Sequence, residues 1–210
     1  MSMHRNLQTP VEAKDRGVNA KSKQDAFDDL PVPSEAGPIG AVVWALVGPV
    51  GDDHLSVIAA DAAEAIDVFL ACDDGEYCAA GGLRVVEGDV VIDPGCCNGL
   101  DEWRDWVGAV KGHTVGFGHD PDVWVEPRGP LVRVWEDESE FTMDDVPGPN
   151  ARHIDFARDD LPALLLGVQR DLSDFLRTLH RWALDVVPAQ ADRLTDAVDR
   201  RLEISRRLDL

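Results

Sequence analysis

Several things are scarce in this chain, and each scarcity excludes something. There are only 4 lysines against 16 arginines. No apolar run approaches the roughly 18 residues that a membrane-spanning helix needs. The basic residues scattered through Met1–Lys23 are followed by no apolar stretch, so a secretory signal is not expected. Cysteine is rare too: Cys72, Cys78, Cys96 and Cys97, the last two adjacent. In a 210-residue chain without a signal these are expected to be reduced thiols rather than a disulfide framework, which makes the cytoplasm the expected compartment. Catalytic signatures of fixed spacing are also missing. There is no Gly-x-Ser-x-Gly, no His-Glu-x-x-His and no dinucleotide-binding glycine fingerprint.

Acid is abundant. Asp and Glu number 40 against 20 Lys and Arg, a formal net charge of −20. The bias of 29 Asp to 11 Glu, with arginine in place of lysine, is what high-GC codon usage or salt adaptation produces. Position is more informative than total. Residues 1–24 carry 5 basic and 2 acidic side chains, residues 25–150 carry 5 and 27, and residues 151–210 carry 10 and 11. The middle of the chain therefore holds nearly all the excess. A field of that sign repels nucleic acid and anionic lipid and draws in basic proteins. The expected partners thus include a basic protein and exclude nucleic acid and membrane.

Residues 1–25 are polar and aperiodic and are expected to form a mobile N-terminal tail, followed by a proline-containing connector over 26–38. Residues 39–210 are expected to form a single α+β domain, with a β-rich acidic part at 39–150 and a helical part at 151–210. Ala41–Val47 reads as a buried strand closed by Gly48-Pro49, and Val57–Ala59 as another short strand. Asp61 is placed to cap a helix running to Cys72. Leu83–Val86 and Asp89–Ile92 flank Glu87-Gly88 as a hairpin. Asn98 is placed to cap a helix from about Gly99 to Val110, with Leu100, Trp103, Val107 and Val110 facing inward. Val123–Glu126 and Leu131–Trp135 form a second hairpin around Pro127–Pro130, and acidic Glu136–Asn150 reads as a loop. Leucines recurring at three- and four-residue steps from Leu161 to Trp182 predict a long helix with Pro162 in its first turn. A second helix from Pro188 turns Leu194, Ala197, Val198, Leu202 and Leu208 inward and Arg193, Arg200, Arg201, Arg206 and Arg207 outward. The fold class is α+β: a mostly antiparallel central sheet closed by a C-terminal helical hairpin.

The sharpest chemical candidate is Pro94-Gly95-Cys96-Cys97-Asn98-Gly99-Leu100, with His113 and His119 downstream. A thiolate at a helix N-terminus is stabilised by the partial positive charge there, which raises its reactivity. Cys96, Cys97, His113 and His119 are also the candidate ligands for zinc, although the Cys-x₂-Cys spacing of a structural zinc site is absent. Buried structural cysteines are the plainer alternative. His119-Asp120 has the composition of an acid/base pair, but the plainer and favoured reading is Asp120-Pro121-Asp122 as a turn before the strand at Val123, with His119 on its rim. Glu136, Asp137, Glu138 and Glu140 suit a solvated loop or a contact surface for a basic partner, with Trp124 and Trp135 as its anchors. They lack the fixed glycine of a calcium loop.

Three stretches carry a likeness beyond these patterns: Pro94-Gly95-Cys96-Cys97 leading into Gly99-Leu100 and Trp103-Arg104-Asp105-Trp106; Gly118-His119-Asp120-Pro121; and Trp124-Val125-Glu126 with Val132-Arg133-Val134-Trp135. Together they resemble a family of proteins from high-GC actinobacteria to which no activity is assigned. The likeness covers roughly the last 130 residues and implies a bacterial, cytosolic setting. Two functions remain open. One is an acidic, immunity-type binding protein or other inhibitor that captures a basic partner. The other is a thiol- or metal-centred enzyme or redox sensor built on Cys96 and Cys97. The charge map favours the first, and the lack of a complete catalytic set leans away from an enzyme.

Overall fold

Two antiparallel sheets and a C-terminal pair of helices make up the fold in the computed structural model, which describes residues 5–8, 39–40, 42–43, 46, 61–71, 79, 81–96, 98–137 and 151–210. The smaller sheet has the order β1 (Arg5–Gln8), β2 (Arg84–Glu87), β3 (Val90–Ile92). The larger is a meander of β4 (Val115–Gly116), β5 (Asp122–Arg128), β6 (Leu131–Asp137) and β7 (Arg152–Ala157). This is the α+β class expected from the sequence.

Some expected elements change. Arg5–Gln8, placed in a mobile tail, pairs antiparallel with β2 instead. The contact is backbone pairing along a sheet edge, which needs no apolar periodicity to form. The rest of the expected tail and the 26–38 connector lie outside the described residues. The expected strand at Ala41–Val47 is also corrected: Ile39, Gly40, Val42, Val43 and Leu46 are helical. Positions 39, 42, 43 and 46 follow the i, i+3, i+4, i+7 spacing of one helical face, and Val43 and Leu46 are buried. A short apolar run fits strand and helix equally well, and here packing decided for helix. Val57–Ala59 lies outside the described residues.

Helix α1 (Ala62–Ala71) starts as expected, with the Glu64 amide donating to Asp61 Oδ1 at 2.9 Å, and it buries Ala65, Ile66 and Phe69. The helix after the cysteines begins differently. Leu100–Asp105 is a 3-10 helix that continues into α2 (Trp106–Val110). The three-residue turn puts Trp106, rather than Val107, on the face of Trp103 as α2 begins, so Trp103, Trp106 and Ala109 are buried while Val107 and Val110 are only half-buried. Gly99, not Asn98, is the N-cap, and its amide donates to Glu102 Oε2 at 3.2 Å. Asn98 is buried and donates through Nδ2 to the carbonyls of Gly81 (3.1 Å) and Gly99 (3.3 Å).

The second hairpin is longer than its sequence pattern. β5 and β6 extend through Pro127 and Arg128 to a two-residue loop, Gly129-Pro130, where Gly129 takes a φ of 63°. Val123, Val125, Val132 and Val134 point into the core, and β7 adds Ile154 and Phe156. β7 was not anticipated, because only these two inward positions carry its alternation. β6 also runs further than Trp135. Glu136 and Asp137, expected in an exposed loop, are strand residues that are only 7% and 4% exposed.

Helix α3 (Leu161–Val186) buries Leu161, Leu165, Val168, Leu172, Leu176, Leu179 and Ala183 along one stripe. Each buried leucine contributes about 1.5–3 kcal/mol of transfer free energy, so this face is a principal source of stability. Helix α4 (Ala191–Leu202) packs against it through Leu194, Ala197, Val198 and Leu202. Leu208 is buried as expected, but it lies beyond the helix, which ends at Glu203 in the left-handed region. Arg201 departs from the expected basic outer face. It is buried, with its guanidinium 4.0 Å from the Phe69 ring centroid and donating to the Phe69 carbonyl at 3.0 Å. Among the described residues, no helix is long and apolar enough to cross a membrane.

Candidate functional site

The segment after α2 is anchored by Phe117, which is buried and stacks on Trp106 with ring centroids 4.7 Å apart. Its amide donates to the Val123 carbonyl at 2.7 Å, and its carbonyl accepts from Gly95 at 2.9 Å. The 117–123 loop is therefore closed on itself and tied to the chain entering the cysteine segment. One residue further, the backbones of Cys96 and His119 bond each other in both directions: Cys96 N–H to His119 O at 2.5 Å and His119 N–H to Cys96 O at 3.2 Å. The two segments cross this closely because both carry glycine. A β-carbon on Gly95 would lie 2.5 Å from backbone atoms of Gly118, His119 and Pro121, and one on Gly118 would lie 2.4 Å from the Cys96 carbonyl oxygen. Gly118 also has a φ of 88°, which disfavours any other residue.

The crossing brings three reactive side chains together. Cys96 Sγ lies 3.2 Å from His119 Nδ1 and 4.0 Å from Nε2. His119 Nδ1 also lies 3.3 Å from Asp120 Oδ2. One donor atom from each residue falls within 4.8 Å of the other two. Asp120 is held at φ 53°, a conformation that Asp tolerates better than most residues, and the peptide to Pro121 is cis. The cluster is open, with the His119 side chain 58% and the Asp120 side chain 80% exposed.

This is not the linear relay of a cysteine hydrolase, in which one ring nitrogen meets the thiol and the other meets an orienting carboxylate. Here thiol and carboxylate both face Nδ1. Cys96 also precedes the helical N-cap, Gly99, by three residues, so the helix dipole invoked from the sequence does not reach it. The imidazole lies beside the sulfur, and as imidazolium it stabilises a thiolate.

Of the four residues singled out from sequence, Cys96 and His119 are brought together. His113 is exposed at the far end of α2, where its amide bonds the Gly108 carbonyl, and it does not join the cluster. Cys97 lies outside the described residues. Asp120, weighed from the sequence both as an acid/base partner and as a turn residue, occupies a turn and also contributes its carboxylate to the cluster.

Of the residues expected to contact a basic partner, Trp124, Trp135, Glu136 and Asp137 are placed otherwise. Trp124 and Trp135 are register partners on the face of the larger sheet opposite the core valines, stacked at 5.8 Å, and are only 5% and 8% exposed. Arg133 and Arg128 lie over the Trp135 ring at 5.0 and 5.7 Å, and Trp135 Nε1 donates to Glu126 at 3.1 Å. Glu136 accepts from Arg152 across to β7. These side chains hold the sheet together and are not presented as interface anchors. Glu138 and Glu140 lie outside the described residues. A groove between α3 and α4, lined by Arg177, His180, Arg181, Asp192 and Thr195, mixes both charges and gathers no comparable set of donors. No family model, no curated protein and no solved structure matches the chain.

Proposed function

We propose that the protein acts through the sulfur of Cys96, as a thiol that senses or captures small oxidants and electrophiles. The observation that carries this is the 3.2 Å contact between Cys96 Sγ and His119 Nδ1, supplied by two chain segments that pack through glycine. Openness of the cluster favours stoichiometric sensing over turnover, because a transfer enzyme gains much of its rate by excluding water from its site. The binding-protein alternative keeps its acidic field, but Trp124, Trp135, Glu136 and Asp137, among the contacts assigned to it, are buried.

The chemistry is simple to state. The Cys96 thiolate attacks one oxygen of hydrogen peroxide, the O–O bond breaks, hydroxide leaves and the sulfur becomes a sulfenic acid. Brief exposure of the reduced protein to peroxide, followed by a sulfenic-acid trap and peptide mapping, tests this. Cys96 is expected to be the first cysteine trapped, and His119→Gln to slow it by about tenfold or more. Trapping at Cys72 or Cys78 ahead of Cys96, or no effect of His119→Gln, would overturn the proposal.

A further inference from the structure

We infer that Cys96 Sγ, His119 Nδ1 and the Asp120 carboxylate form a capture site for a thiophilic divalent cation of the zinc class, and that the bound cation masks the thiol. The inference rests on the reading of this cluster as the functional site, and it adds the ligand that controls it.

Three electron-rich atoms, a sulfur, an imidazole nitrogen and a carboxylate oxygen, from Cys96, His119 and Asp120, lie within 4.8 Å of one another. A cation at the centre satisfies all three donors at once. The spacing suits it. With bond lengths of about 2.0–2.3 Å to N, O and S, tetrahedral zinc places its donors about 3.4–3.6 Å apart. The sulfur–nitrogen and nitrogen–oxygen edges are 3.2 and 3.3 Å, and the remaining edge lies within 4.8 Å, so shifts of an ångström or so close the site. Such movements lie within the reach of exposed side chains, while the reciprocal Cys96–His119 backbone bonds hold the two main chains in place.

The donor set also selects the ion. A thiolate with an imidazole favours zinc over magnesium and calcium, which take oxygen ligands. Three protein donors leave a position open, as in zinc sites that exchange a ligand. The acidic field of residues 25–150, which includes the cluster, raises the local concentration of any cation. Once coordinated, the sulfur lone pair is committed to the metal and is no longer available to oxidant or alkylating agent.

Zinc alone, added to the reduced 210-residue chain freed of metal by a chelator, tests the inference. One equivalent is expected to bind, with affinity lost in Cys96→Ser and lowered by about tenfold or more in His119→Gln and Asp120→Asn. All three variants change exposed side chains and leave the backbone bridge intact. Cobalt in place of zinc is expected to show a thiolate-to-metal charge-transfer band, absent in Cys96→Ser. Zinc is also expected to slow alkylation of Cys96 in the unmodified chain. Binding that survives Cys96→Ser, or cobalt without that band, overturns the inference and assigns the metal to surface carboxylates. Fast alkylation of the metal-free protein with no zinc bound overturns the cation site while leaving the reactive thiol standing. Stoichiometric zinc binding with ordinary alkylation of the metal-free protein supports the cation site and removes the reactive thiol.

Discussion

Single atoms decide the site. Gly95 and Gly118 matter for the absence of a side chain, since a β-carbon on either would strike backbone of the other segment. Backbone cannot move aside as the end of a flexible side chain can. Gly95→Ala is therefore expected to destabilise the protein by about 2–4 kcal/mol and to separate the sulfur from the imidazole. A thermal melt with a parallel measurement of Cys96 alkylation checks both effects, and an unshifted melt would show that the crossing is loose. Trp182 offers the opposite case. Its half-buried ring carries an Nε1–H that is shielded from solvent and has no hydrogen-bond partner among the described residues. A shielded donor left unpaired costs about 1–3 kcal/mol, so Trp182→Phe is expected to leave the melting temperature unchanged or raise it despite the lost volume. The sequence made both halves of the cluster conspicuous, as Pro-Gly-Cys-Cys and Gly-His-Asp-Pro, but it did not show that they meet. Cys96 and His119 are 23 residues apart, and their contact depends on a long-range backbone bridge that no local spacing encodes. For the same reason His113, equally attractive in sequence, was grouped with a site it does not join.

Among the elements, the chain after α4 is held by side chains reaching back from earlier in the sequence. Arg104 donates to the carbonyls of Glu203 at 2.8 Å, Arg206 at 3.0 Å and Arg207 at 2.7 Å. Gln169 adds bonds to the carbonyls of Ile204 and Arg206, and Trp103 Nε1 donates to Leu202 O at 2.7 Å. A planar fork serving three carbonyls has no lysine equivalent. Arg104→Lys is expected to cost about 1–3 kcal/mol and to expose the Arg206-Arg207 bonds to trypsin. Limited proteolysis reads this directly, and an unchanged cleavage rate would mean that the buried Ile204 and Leu208 hold the segment unaided. Between β6 and β7, Arg133 donates two bonds to Asp155, at 2.7 and 2.8 Å. Those bonds, more than the nearby positive charge, hold the Asp155 carboxyl below the usual range for aspartate. A carboxylate whose pKa is lower when folded than when unfolded stabilises the fold above its unfolded pKa, and the benefit is lost as pH falls through the folded value. Asp155→Asn is thus expected to cost up to about 1 kcal/mol near neutrality, with the gap to the unmodified protein closing in acid below the ordinary aspartate range. Denaturant titrations at neutral and acidic pH test the sign, and a gap that widens in acid would contradict it.

At the scale of the molecule, the sequence disclosed the elements whose periodicity is long and reinforced. The α3 stripe repeats over many turns, and the two hairpins carry glycine at their turns, so both were legible. What escaped had short or ambiguous patterns: the helical residues around Val43, the two-position alternation of β7, and a 3-10 turn that offsets the buried face by one residue, to Trp106 and Ala109. β1 escaped because edge pairing asks little of side chains. Charge misled in one respect. From sequence Glu136 and Asp137 look solvated, because they are acidic and sit beside further acid, whereas register with β7 places Glu136 opposite Arg152. A composition-wide excess of aspartate cannot distinguish such residues from those at the surface. The functional account therefore rests on the juxtaposition of Cys96 and His119 and not on net charge. The most direct measurement is the alkylation rate of Cys96, resolved by peptide mapping at neutral pH in the presence of a metal chelator, for the unmodified protein and for His119→Gln. The account predicts that Cys96 reacts about tenfold or more faster than a free thiol, and that His119→Gln removes the advantage. A Cys96 that labels at the rate of free cysteine in both proteins would contradict it.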